Sequence, residues 1–356
     1  MTAETASGVA PTRTPSNRAN PADSLTIFGV RMPVVRQISI GIGIVVALGL
    51  PAVSEDFAVF QMTQVLYLAM AVLGLNLLTG FTGQFSLGHS AFMAIGAYTA
   101  AIMMDRMEIA YFWTIIPAGI VCFVAGFLFG LPALRLEGLY LALATFALAL
   151  ATPQLLRYEH FEQFTGGVQG IDLLKPDSPV SFLTNDQWYY YFSLLFGFIL
   201  IWCAWNLVRG RTGRAMIAIR DNPIAASTMG VNTSMYKATT FGVSGLYCGI
   251  AGALSAVVVE FIAPESFTFA HAILLLIAMV IGGLASIPAA IIGGMFILYV
   301  PNISESVVDT FFGGDPSSKA LVWVSFGVFM ILTVYVMPSG VAGFVRQIIG
   351  KLARGR

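Results

Sequence analysis

The side chains with the clearest capacity for chemistry crowd into two short stretches. The first is GRTGRAMIAIRDNPIAASTMGV, Gly210 to Val231, which sets Arg211, Arg214 and Arg220 beside Asp221 in a chain that is 57% hydrophobic and 10% charged. The second is LGLNLLTGFTGQFSLGHSAFM, Leu73 to Met93, where Asn76, Thr79, Thr82, Gln84, Ser86, His89 and Ser90 are interleaved with glycines. Guanidinium groups suit anionic lipid headgroups or the acidic residues of another protein. Uncharged amides and hydroxyls suit a path for a polar solute, or a tight turn whose polar groups satisfy one another. A lone histidine such as His89 is more often structural than catalytic.

The first stretch also carries the marks of a small helix. Asn222 is a good N-cap, Pro223 suits the first helical position and Gly230 suits a left-handed stop, so Pro223 to Met229 is expected to form about two turns with Asp221 beside the positive end. Ile224, Ala225, Thr228 and Met229 then fall on one side as a small apolar patch. Such a helix either lies on a membrane surface or fits a groove on another protein. The patch is too small to bind lipid strongly, which favours the groove.

Several engines are missing. No stretch matches GxxxxGK[ST]: the one Gly-Lys pair, Gly350-Lys351, is followed by Leu352 and has Val345 where the first glycine belongs. There is no HExxH and no GxSxG, and the apolar runs hold almost no ionisable group. This argues against an intramembrane enzyme and against an ion-coupled carrier, although a stand-alone channel or ion-coupled secondary carrier stays as the alternative reading. No metal site is expected. Cys122, Cys203 and Cys248 all lie in apolar runs without a CxxC pair and read as small core residues.

These residues must be positioned by helices in a membrane. The mean hydropathy is +0.83 over 356 residues, and the apolar runs are continuous blocks, not the alternating segments of a barrel. The expected fold is an all-α polytopic membrane helical bundle of about ten spans, some short or broken, starting near residues 38, 57, 86, 113, 138, 189, 236, 270, 287 and 320. With the N-terminus inside, the cytoplasmic side holds 14 of the 18 Lys and Arg but only four of the 18 acidic residues, as basic loops require. The apolar stretch Ala270 to Val300 would be about 46 Å long as one helix. It breaks at Gly282-Gly283 and Pro288 into two short spans, the kind of interruption from which transporters build pathways. Residues 1–37 read as a disordered cytoplasmic tail, 38–345 as the membrane domain and 346–356 as a basic cytoplasmic tail. Residues 158–188 form an acidic outer loop, either a docking surface or a solvated connector.

Packing signals concentrate in the seventh span. Gly242, Gly245, Gly249, Gly252 and Ala256 recur at steps of three and four, a helix face almost without side chains. Small residues let helix backbones approach closely where lipid removes the hydrophobic driving force; the alternative is a sliding or pore-lining surface. Glu260 extends the stripe by a turn, as a substrate or gating group or as a side chain reaching the outer interface.

Six motifs in order, from about Leu73 to Gly343, resemble the LivM family of permease subunits of bacterial ABC importers for branched-chain amino acids and related solutes. They are GFTGQFSLGHSAFMAIGAYTAA (Gly80 to Ala101), LRLEGLYLALATFA (Leu134 to Ala147), FTGGVQGI (Phe164 to Ile171), GRAMIAIRDNPIAASTMGVN (Gly213 to Asn232), MVIGGLASIPAAIIGG (Met279 to Gly294) and PSGVAG (Pro338 to Gly343). Importer permeases carry an EAA-x-x-x-G loop that docks in the ATPase, and Ile224-Ala225-Ala226 with Gly230 matches it with Ile in place of Glu. The resemblance implies an ATPase-coupling loop over 210–235 built on Arg214, Arg220, Asp221, Asn222, Pro223, Ile224, Ala225, Ala226, Met229 and Gly230. A translocation path would take Asn76, Gln84, Ser86, His89 and Glu260.

It also implies a bacterial inner-membrane protein with both termini cytoplasmic. Its partners would be a LivH-like permease in a heterodimer, two ABC ATPase subunits, a periplasmic or lipid-anchored solute-binding protein and membrane lipid, with no nucleic acid. The chain would bind no cofactor itself and would use ATP through its partners. The solute would be a branched-chain amino acid or a related amide, urea or organic acid. One departure from the family pattern is Gly282-Gly283-Leu284-Ala285-Ser286-Ile287-Pro288-Ala289-Ala290, where alanine stands for two usual glycines and should leave the backbone less free to bend.

Overall fold

Apolar blocks of this length, with their backbone groups closed internally, form helices. The computed structural model describes residues 24–27, 30–134, 136, 138–174, 176–180, 182–312, 319–337 and 340–344. Two units are distinguished, 1–54 and 55–356. In the first, strands β1 (Ser24–Ile27) and β2 (Val30–Pro33) pair antiparallel, with Ser24 opposite Pro33 and Ile27 opposite Val30, and helix α1 runs Val34–Val53. Of the stretch expected as a tail over 1–37, the described residues are those of β1, β2 and the start of α1. The apolar and β-branched residues Leu25, Ile27, Val30 and Met32 make a run too short for a span but sufficient for a ladder.

The second unit holds α2 (Asp56–Leu75), continued by a π-helical turn (Asn76–Phe81), then α3 (His89–Met107), α4 (Tyr111–Ala133), α5 (Leu139–Leu156) and the short α6 (Glu159–Thr165). After the two-residue strand β3 (Ile171–Asp172) come α7 (Asn185–Arg209), α8 (Arg211–Asp221), α9 (Pro223–Thr228) and α10 (Thr233–Val259). Strand β4 (Phe261–Ile262) and a 3-10 turn (Pro264–Phe267) lead into α11 (Phe269–Gly282), α12 (Ala289–Phe312) and α13 (Lys319–Val336). Among the described residues, six helices are long and apolar enough to cross a membrane: α2 with its π turn, α4, α5, α7, α10 and α12. Shorter apolar segments cover Gly43–Val53, Phe269–Gly282 and Leu321–Thr333.

Helix α10 is the centre of the second unit. It packs against α4, α3 and α2, while α2 also receives α7, α11 and α12. The glycine face explains the close approach: a Cβ on Gly245 would meet the Cys122 carbonyl, one on Gly249 would meet the Cys122 side chain at 2.5 Å, and one on Gly252 would meet the Met93 carbonyl. Gly242 faces Phe123 in the same way, and Gly126 and Gly96 answer from α4 and α3. The stripe is thus filled by neighbouring backbone, as packing requires, and leaves no open surface along it. Outward faces instead carry exposed apolar side chains, among them Leu128 on α4, Leu143 on α5, Phe198 and Trp202 on α7 and Ile331 on α13. Cys122 and Cys248 are buried, but Cys203 is exposed on α7, so it is not the core residue its apolar context suggested.

Hydrogen bonds tie the described part of the loop over 158–188 to the bundle. Arg106 Nη2 donates to the Gln163 carbonyl at 2.7 Å, Tyr189 Oη to the Pro176 carbonyl at 2.6 Å, and Trp188 Nε1 to Tyr111 Oη at 2.6 Å. β3 pairs antiparallel with β4, Ile171 opposite Ile262, and the Leu173 amide donates to the Glu260 carbonyl at 2.7 Å. Residues 1–23, Lys175, Pro338, Ser339 and the basic tail over 346–356 lie outside the described residues.

Gly249→Ala should lower the thermal unfolding midpoint of the purified chain, since its methyl overpacks the α10–α4 contact at a cost of about 1–3 kcal/mol. Gly327→Ala, where nothing lies within 4 Å of the added Cβ, should leave it unchanged or raise it. A thermal melt followed by intrinsic fluorescence reads both.

Candidate coupling site and its buried polar contacts

The segment after α7 forms a helical pair. On α8, Gly213, Ala215, Met216 and Ile219 are buried and fix that helix against the bundle. Asn222 then breaks it with extended backbone and caps α9, its Oδ1 accepting from the Ile224 and Ala225 amides at 3.1 and 3.0 Å. Gly230 leaves in the left-handed region at φ +84, its amide bonded to the Ser227 carbonyl at 3.0 Å, while the Val231 amide reaches the Ala226 carbonyl at 3.1 Å. Ala226 faces inward and is buried. Ile224 and Met229 stand out at 76% and 85% exposure, with Ala225 and Thr228 also exposed. A capped, rigid two-turn helix thus offers an apolar tip to whatever lies beyond the chain.

Arg220 differs from its expected role as a side chain turned to headgroups or a partner. Its Nη1 donates to the Gly80 carbonyl at 3.0 Å, and its Nε and Nη2 both donate to Asp221 Oδ1, at 3.1 and 3.0 Å. Asp221 is accordingly held by Arg220 beside the start of α9. Arg214 turns back, donating from Nη1 to the Arg209 carbonyl at 3.4 Å.

Gly80 lies in the π-helical turn that ends α2. Such wider turns disrupt the regular backbone ladder and often mark functional sites. The same turn contains Asn76, 1% exposed. Its Oδ1 accepts from the Ala285 amide at 2.9 Å, and its Nδ2 donates to the Ser286 carbonyl at 2.9 Å and to the Gly283 carbonyl at 3.4 Å. Asn76 therefore holds the turn between α11 and α12. Ala285 adopts φ +53 there. The alanine did not prevent the bend; a non-glycine residue in that region costs about 1–2 kcal/mol, offset by the Asn76 hydrogen bonds to the turn it sits in.

Most of the other polar residues of the stretch are bonded within the bundle, while Ser90 Oγ is buried without a hydrogen-bond partner. Thr79 Oγ1 donates to the Gln84 carbonyl at 3.0 Å, and Gln84 Nε2 to the Lys237 carbonyl at 3.4 Å. His89, 1% exposed, bonds through Nδ1 to Ser86 Oγ at 2.9 Å and through Nε2 to Ser244 Oγ at 2.6 Å. Ser244 donates its one proton to the Gly74 carbonyl at 2.6 Å. It must then accept from Nε2–H, which leaves Nδ1 bare to accept from Ser86. Both ring nitrogens of a neutral His89 are engaged, tying α3 to α10 and α2.

Glu260 is not brought to this cluster. Sixteen residues beyond Ser244, it lies about 24 Å farther along α10, where it ends the helix in a left-handed conformation at φ +66. Its carbonyl receives Leu173, so its backbone anchors the outer loop. Among the described residues, no group of three His, Cys, Asp or Glu is gathered that would hold a metal ion. Sequence reading missed the Asn76–Ala285 and Arg220–Gly80 contacts, whose partners stand 209 and 140 residues apart.

A family model described as "Branched-chain amino acid transport system / permease component" matches residues 57–337. Similar curated proteins include the high-affinity branched-chain amino acid transport system permease protein LivM of Salmonella typhimurium, 32% identical over 72% of this chain and 65% of that protein. LivM of Escherichia coli strain K12 is 34% identical over 64% of this chain and 58% of its own length. The LivH permease of the same organism is 25% identical over 77% of this chain and 91% of itself. The chain thus spans less than two thirds of these two LivM proteins, and no solved structure matches it. With the model covering most of the chain, including the α8–α9 pair and the Asn76 turn, this protein belongs to the branched-chain amino acid transport permease family.

Proposed function

We propose that the chain is the membrane-spanning permease subunit of an ATP-driven importer, moving a small polar solute delivered by a binding protein. A branched-chain amino acid is the solute favoured by the names of its relatives. The subunit pairs with a LivH-like permease and with two ATPases that engage the α8–α9 pair from the cytoplasm. It performs no chemistry itself. Ten apolar helices cross the inner membrane, α1 to α5, α7 and α10 to α13, leaving both termini cytoplasmic in accord with the bias of Lys and Arg.

The single observation that carries this reading is a chain of contacts. The exposed tip of α9 joins α8, Arg220 on α8 holds the Gly80 carbonyl, and Asn76 in the same turn holds Ala285 and Ser286 between α11 and α12. A partner that shifts the Ile224–Met229 tip pulls on Arg220. The π-helical turn of α2 then transmits the shift to the partly buried turn at residues 283–288. Helix α11, 14 residues and about 21 Å long, is short enough for that turn to lie within the bilayer depth, where re-aiming it opens or closes a path.

Two outcomes follow in proteoliposomes holding the chain with its candidate partners. Ile224→Glu with Met229→Glu places two charges on the exposed tip; solute-stimulated ATP hydrolysis should fall at least about tenfold, the loss of roughly 1.4 kcal/mol, while the permease pair still assembles. Unchanged stimulation would remove α9 from the docking role. Asn76→Leu keeps the branched shape but deletes three hydrogen bonds, and solute moved per ATP hydrolysed should drop by a similar factor. An unaltered ratio would show that the turn at 283–288 does not receive the signal.

A further inference from the structure

A second group of polar side chains lies away from the coupling segment, at the Val259 end of α10. There α2, α3, α10, β4 and the residues after it, α11 and α12 line a cavity of about 210 Å³ that is open on one side, where Val259, Phe261 and Ser266 are exposed. Most of its wall is apolar, including Leu68, Ile262, Phe267 and Ile297. Gln64, Tyr67, Ser266 and His271 also line it. His271 Nε2 is buried without a hydrogen-bond partner, and the side chains of Gln64, Tyr67 and Ser266 make no hydrogen bond among the described residues. Leaving a buried polar nitrogen unpaired costs about 1–3 kcal/mol, which a ligand reaching His271 from this cavity would recover. Among the described residues, no Lys, Arg, Asp or Glu lines the space.

We propose that this cavity is a solute-binding site of the permease, taking a small aliphatic amino acid in its zwitterionic form; the inference rests on the transport reading above. The Tyr67 and Ser266 hydroxyls and the Gln64 amide N–H groups donate to the carboxylate. The Gln64 carbonyl and His271 Nε2, the bare nitrogen of the Nδ1–H tautomer, accept from the ammonium. The apolar wall takes the aliphatic side chain. Neutral dipoles suit a head with no net charge, whereas an isolated cation or anion would enter a space without a countercharge, at a cost of several kcal/mol. Without ion pairs the cavity holds its occupant weakly enough to release it.

The test uses the assembled permease and ATPase complex in nanodiscs, without binding protein or nucleotide, and tritiated L-leucine as the probe. Wild-type complex should bind L-leucine, and 4-methylpentanoate and 3-methylbutylamine, which keep an aliphatic body but carry one charge, should not displace it. Tyr67→Phe and His271→Leu should each weaken binding about tenfold, one hydrogen bond to a charged head. His271→Gln, which keeps an acceptor, should restore most of the loss, as no purely structural defect would. In parallel, wild-type complex with its binding protein and ATP is assayed for L-leucine import. If import proceeds but L-leucine binding is absent, or is unaffected by either substitution, the cavity is not the site and the transport reading stands. If wild-type import fails, the transport reading itself falls, and this proposal with it.

Discussion

A backbone that turns while buried in protein leaves amides and carbonyls that water cannot reach, and the turn between α11 and α12 is such a place. Ser286, Ile287, Ala289 and Ala290 are all buried. Asn76 supplies what the turn lacks, a carbonyl oxygen for the Ala285 amide and an amide group for Ser286 and Gly283. A side chain with both a donor and an acceptor in one plane meets this need. The π-helical turn of α2 sets Asn76 facing that turn and Gly80 within reach of Arg220. One short irregular segment is thus answerable to the cytoplasmic helical pair on one side and to a broken membrane hairpin on the other.

The remainder of the bundle works as a rigid frame for that segment. The α10 glycines bring its backbone against α4 and α3, and the chain of hydrogen bonds from Ser86 through His89 and Ser244 to Gly74 locks α2, α3 and α10 at one level. A frame packed this closely has few soft modes. Motion applied at α9 is therefore directed along the contacts that remain polar and specific. At the far end of α10, the pairing of β3 with β4 and the Glu260 carbonyl tie the outer loop to the same helix, beside the cavity that Gln64, Tyr67 and His271 line.

Much of this was legible where the physics is local. Asn222, Pro223 and Gly230 announce the ends of α9 within nine residues, and the helix forms with the cap and the left-handed exit they require. The period of three and four in Gly242 to Gly252 named a packing face, and Gly282-Gly283 with Pro288 marked the break between α11 and α12. What could not be read was long-range. Arg220 sits in a charged stretch whose neighbours suggest contact with lipid headgroups or a partner, and nothing near it betrays Gly80, 140 residues away. Glu260 continues the glycine period, but the helix stops at it because its own backbone turns left-handed, a choice made by the β3–β4 pairing and not by its neighbours.

The central claim is that force at the cytoplasmic helical pair reaches the α11–α12 turn through Arg220. Amide hydrogen exchange over residues 281–290 of the assembled complex, with and without trapped ATP, measures it most directly. Wild-type protein should change its protection there on trapping, and Arg220→Met, which keeps an unbranched apolar stem but none of the guanidinium's hydrogen bonds, should lose that change while the ATPases still bind. An equal change in the variant would mean that the signal enters the membrane by another route.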